Sequence, residues 1–98
     1  MDVRFEDDDL DRLETDPTFH IRRLPVEIQK SYRRAMQFIR AATGEPALRA
    51  RRSWRFEEYR EAPGIYSIRL NDQWRLFFRM DGSGDSRALV VLEIRDPH

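Results

Sequence analysis

The chain has 98 residues, with 18 basic and 18 acidic side chains and no cysteine. That length supports one domain with its own core, taken as residues 1–98, and the missing cysteines exclude disulfides, thiolate catalysis and cysteine-bound zinc. The zero formal charge conceals an asymmetry: residues 1–16 carry eight acids and two bases, the remainder ten acids and sixteen bases, so a basic body suited to a polyanionic partner carries an acidic end.

No apolar run approaches the ~18 residues that cross a bilayer, and the acidic N-terminus is unlike a signal peptide. The expectation is a soluble, cytoplasmic protein without a membrane partner. Lys30 is the only lysine; arginine suits bidentate phosphate contacts, although genomic base composition produces the same bias.

In chain order, Val3 and Phe5 form a short strand or simply anchor the N-terminus. Asp7 to Glu14 reads as a short helix, with its aspartates in the first turn, where the helix dipole favours them, and Leu10 and Leu13 on one side. Thr15-Asp16-Pro17 ends it. His20 has no metal-ligand spacing and receives no role. Pro25 suits the first position of a second helix, in which Ile28, Tyr32, Ala35, Ile39 and Ala42 make an apolar stripe. Gly44 stops that helix, and Pro46 opens a further helical turn towards Arg49.

Arg51 to Tyr59 carries Trp54 and Phe56 at alternate positions and feeds a sheet. Pro63-Gly64 turns into the most regular stretch, Ile65 to Met80, read as a β-hairpin. Tyr66, Ile68 and Leu70, then Trp74, Leu76, Phe78 and Met80, make one face almost wholly apolar. Asn71-Asp72 forms the turn, both residue types tolerating positive φ. The opposite face holds Arg69, Arg75 and Arg79 around Phe77. These residues are either the solvated side of an amphipathic sheet or a surface that binds phosphate and stacks on a base. After the turn cluster at 81–85, Arg87 to Ile94 is a strand apolar on both faces. The fold class is α+β, with N-terminal helices packed on a small antiparallel meander.

The chemistry on offer is narrow. There is no glycine-rich phosphate loop, no metal-ligand cluster and no nucleophile–base pair; no cofactor is expected. Arginine on a sheet, with Asp96 and His98, provides the parts for metal-free RNA cleavage. The ribose 2′-OH is then the nucleophile, arginine neutralises charge on the phosphate, and Asp96 or His98 moves protons.

The segments Ser53-Trp54-Arg55-Phe56-Glu57, Ile65 to Leu76 (IYSIRLNDQWRL) and Glu93-Ile94-Arg95-Asp96-Pro97-His98 resemble HigB-type toxins. These are the plasmid-maintenance killer proteins of the RelE/ParE superfamily. Val3-Arg4-Phe5-Glu6-Asp7 with Leu10 and Leu13 extends the resemblance over most of the chain. It implies a compact antiparallel sheet with helices on one face and ribosome-dependent cleavage of mRNA. It also implies neutralisation by a helix-turn-helix antitoxin of the HigA type in a toxin–antitoxin hetero-oligomer.

By the same resemblance Arg75 acts at the scissile phosphate and Arg69 is a basic hairpin position. Arg60 falls where relatives place a lysine, and Asp96 and His98 match the first and last residues of an aspartate-tyrosine-histidine motif. Pro97 replaces its tyrosine. The expected catalytic set is Arg75, His98, Asp96 and Arg60, and the expected RNA-binding set is Arg69, Arg79 and Phe77. A binding protein is the alternative: a weakened or non-catalytic member that holds its antitoxin, or a ParE-type gyrase inhibitor.

Overall fold

Alternating apolar residues in the second half of the chain build most of the sheet. The computed structural model describes residues 1–84 and 87–97. Strands β2 (Glu57–Glu58), β3 (Ile65–Arg69), β4 (Arg75–Asp81) and β5 (Ala88–Arg95) form an antiparallel meander. Strand β1 (Asp2–Phe5) then pairs in parallel with β5, giving the order β1-β5-β4-β3-β2. The expected all-antiparallel sheet is therefore mixed. The cause is connectivity: every helix lies between β1 and the meander, and a connection of that length permits a parallel neighbour where a hairpin does not. Lying between β1 and β4, β5 buries Ala88, Leu89, Val90 and Val91 in succession, on both faces.

The hairpin is shorter than its pattern. Pairing stops at Arg69 and resumes at Arg75. The intervening loop is closed by Asn71, whose Oδ1 accepts from the Gln73 and Trp74 amides at 2.8 and 2.7 Å. A side chain thus replaces the positive-φ backbone expected at Asn71-Asp72; neither residue has positive φ.

Helix α1 (Asp8–Thr15) is capped by Asp7, whose carboxylate accepts from the amides of Asp9 and Leu10. Helix α2 (Val26–Ala41) begins one residue after Pro25. Its stripe of Ile28, Tyr32, Ala35, Met36 and Ile39 is at most 1% exposed and shares one core with Leu10, Leu13, Ile68, Leu76 and Phe78. Tyr66 and Trp74 are partly buried against that core. Helix α2 thus covers the apolar face of the hairpin, in keeping with helices packed on the sheet.

Three polar groups tie the buried layer together. Gln29 accepts from the Ile21 amide and donates to the Ile21 and Leu24 carbonyls. Ser31 donates to the Leu70 carbonyl, and the Tyr32 hydroxyl to that of Leu10, both at 2.7 Å. Helix α3 (Glu45–Ala50) and a 3₁₀ turn (Arg52–Trp54) follow. The expected strand through Trp54 and Phe56 is reduced to Glu57–Glu58, because both rings are used in packing: Trp54 stacks on Phe38 and Phe56 on Tyr66.

Candidate functional site

The face of the sheet away from α2 carries Arg75 at the start of β4, opposite Arg69 at the end of β3. Together with Arg55, Asn71, Asp72, Gln73 and Pro97 they line a cleft of about 260 Å³. Arg75 lines it with a guanidinium held from two sides. Nε donates to the Ser67 hydroxyl at 2.8 Å and Nη2 to the Arg55 carbonyl at 2.7 Å, and the Glu57 carboxylate lies 3.9 Å away. The side chain is only 17% exposed.

Burial pushes the Arg75 pKa down; Glu57 opposes that shift, and the neighbouring charges of Arg55 and Arg69 reinforce it. Arginine nevertheless stays protonated at neutral pH. The result is a fixed, incompletely hydrated cation beside two more, a place where an anion is favoured.

Two residues of this arrangement were not legible as site residues in the sequence. Ser67 is 3% exposed and orients Arg75 through its hydroxyl. Arg55 is the only non-glycine residue with positive φ among those described, at φ 47° and ψ 61°. This left-handed backbone ends the 3₁₀ turn, while its carbonyl accepts from Arg75 and its side chain lines the cleft. A non-glycine residue held there is strained, and such strain gathers at functional sites. Its positive φ depends on the closed turn, which local sequence does not announce.

The remaining expected site residues divide. Arg69 lies in the cleft, paired with Asp72. Asp96 and Pro97 directly follow β5, whose Arg95 pairs with Arg75, and Pro97 reaches the cleft wall. Asp96 is half-buried. His98 lies outside the described residues.

Arg60 is not brought to the site. The Tyr59 amide bonds the Ile65 carbonyl, so Arg60 sits at the far end of β3 and lines a separate depression with Glu58, Tyr59 and Pro63. The four residue steps from Ile65 to Arg69 amount to roughly 13 Å of strand.

Phe77 is not available for stacking. It is 2% exposed, packed edge-on against Tyr59 and covered by the Arg95 guanidinium 4.6 Å from its ring centre. Arg79 is held by Glu6 and Asp81 and lines none of the clefts around Arg75. The expected Arg69–Phe77–Arg79 surface is replaced by a cluster at the hairpin end: Arg55, Arg69 and Arg75.

Among the described residues no group of three or more His, Cys, Asp or Glu side chains is placed to hold a metal ion. No helix among them is long and apolar enough to cross a membrane.

A helical layer on one face of a five-stranded mixed sheet is the fold of a RelE/ParE-like toxin. A YoeB/ParE toxin from Agrobacterium tumefaciens shares the fold with a TM-score of 0.60 over 100% of both chains, at 17% identity. The family model for the RelE-like toxin of the type II toxin–antitoxin system HigB matches residues 3–98. The chain belongs to this HigB-like toxin family and is the toxin of a type II pair, with an antitoxin as its partner. No curated protein matches it.

Proposed function

We propose that this toxin is an endoribonuclease that cuts mRNA on the ribosome and thereby stops translation in the cytoplasm. The observation that carries this reading is the convergence of Arg55, Arg69 and Arg75 on one cleft, with Arg75 half-buried and held at Nε and Nη2. Cleavage of RNA by its own 2′-OH needs charge stabilisation at the phosphate and in-line placement of the attacking oxygen. Arg75 fits the first need because its position is set before substrate arrives. Among the described residues the cleft lining holds no aromatic ring against which to fix a base, and in-line placement falls to the ribosome. Asp96, and His98 beyond it, are the candidates for moving the proton off the 2′-OH and onto the departing 5′ oxygen.

The antitoxin proposed is a helix-turn-helix protein of the HigA type, either covering the cleft or holding the toxin off the ribosome. A second reading rests on Pro97, which lines the cleft where the resemblance places tyrosine. Without a ring or hydroxyl there, this copy is a weak or silent nuclease whose main act is to bind its antitoxin. Controlled expression with mapping of transcript 5′ ends separates the two. Discrete new ends within translated regions, with naked transcripts left intact, are expected for the nuclease. If ends arise only after Pro97→Tyr, the second reading holds. If neither protein produces them, the nuclease reading is wrong.

A further inference from the structure

The cleft around Arg75 does not stop at Arg69. On the other side of Arg69 lies a second recess of about 250 Å³, lined by Ser31, Arg34, Ser53, Trp54, Leu70 and Asn71 together with Arg69 itself. Arg69 and Asn71 line both hollows, so the two form one track crossing the hairpin end.

Three elements build the new part. Helix α2 presents Arg34, the 3₁₀ turn presents Ser53 and Trp54, and the hairpin loop supplies Leu70 and Asn71. Among the arginines of α2 only Arg34 is uncommitted: Arg33 donates to the Leu13, Asp16 and Phe19 carbonyls, and Arg40 chelates Glu14. Arg34 is exposed and meets no carboxylate among the described residues. Among the described residues that line the track the acid is Asp72, whose side chain is 86% exposed, so an incoming phosphate displaces it at little cost. Trp54 is fixed by its stack on Phe38 and gives the recess a rigid wall.

We infer that this recess is a second subsite for single-stranded RNA, taking the phosphate and sugar of a nucleotide next to the one at Arg75. Arg34 contacts the phosphate, Ser53 and Asn71 supply hydrogen bonds to sugar or base, and Arg69 is shared between neighbouring phosphates. The inference rests on the nuclease reading for its choice of polyanion. It adds a binding role for Arg34 and Ser53, neither of which stands next to the reacting phosphate.

The test uses the whole protein and a labelled single-stranded 2′-O-methyl RNA oligonucleotide, which 2′-OH chemistry cannot cut. Affinity is followed by anisotropy over a range of salt. Each phosphate contact to a single strand contributes about 0.7 to the slope of log affinity against log salt. Arg34→Gln should lower that slope by about this amount and weaken binding by roughly three- to tenfold at moderate salt. Arg34→Lys should restore most of the slope. Arg4→Gln, on the strand at the opposite part of the sheet from β3, should leave it unchanged.

An Arg34→Gln protein with the parent's affinity and slope overturns the subsite while leaving the nuclease reading intact, provided that Arg75→Gln still weakens binding. Equal losses from Arg4→Gln and Arg34→Gln mean diffuse attraction and also overturn it. A parent that does not bind the oligonucleotide overturns the subsite, while the nuclease reading, in which the ribosome places the strand, is decided separately by the mapping of transcript 5′ ends.

Discussion

Arg55 is where stability and proposed activity pull in opposite directions. Its left-handed backbone costs about 1–2 kcal/mol for a residue bearing a Cβ. Glycine removes most of that cost but gives some back as unfolded-state entropy. Arg55→Gly is therefore expected to stabilise the fold by about 0.5–1 kcal/mol in urea denaturation. Cleavage should fall at least about tenfold, because one of three cations leaves the cleft. Tyr32 provides a residue-scale test of the core. Burial, with the nearby acids Glu14, Asp11 and Asp7, pushes its hydroxyl pKa far above the ordinary 10.0. Below that ordinary value both the folded and unfolded chains keep the proton, and Tyr32 adds no pH dependence. Above it the unfolded chain ionises first, so stability should fall as pH rises beyond about 10. Tyr32→Phe should remove that component, at a cost of roughly 1–2 kcal/mol near neutral pH for the Leu10 carbonyl left without its donor. Denaturant midpoints for both proteins between about pH 8 and about pH 11 check the sign.

At the scale of elements, the periodic parts were legible and the parts closed by side chains were not. The stripe from Ile28 to Ile39 follows from the helical repeat, and Ile68, Leu76 and Phe78 follow from alternation; both sets are buried in one core. Alternation also placed Trp74 with the core, yet it precedes the paired residues of β4 and is only partly buried. Phe78→Ala should accordingly cost about 3–5 kcal/mol, and Trp74→Ala nearer 2 kcal/mol, in equilibrium denaturation. Equal losses would mean that the loop ring carries as much packing as the strand ring. The solvent-side reading of the hairpin failed for Phe77 for a related reason. Its cover comes from Tyr59 beyond β2 and Arg95 on β5, neither predictable from the period of β4. Likewise the parallel pairing of β1 joins residues more than eighty positions apart, such as Val3 and Leu89.

Across the whole molecule, the acidic N-terminal segment serves the fold as well as the charge balance. Asp7 caps α1, Glu14 holds Arg40 on α2, and Glu6 holds Arg79 on β4. Those pairings leave the positive charge of Arg34, Arg55, Arg69 and Arg75 concentrated at the hairpin end. An antitoxin of acidic surface would be drawn there, as would RNA. Arg75 and Arg69 could be read from the sequence through the family resemblance, and the structure brings both to one cleft. Arg60 could not be judged in that way, because the loop between β2 and β3 sets where it sits. The most direct measurement is single-turnover cleavage of mRNA on purified ribosomes by the parent and by Arg75→Ala. The expected result is cutting only in the presence of ribosomes, slowed by about 10²-fold or more when the fixed guanidinium is removed. Cleavage by Arg75→Ala at the parent's rate would contradict the central role given to that residue.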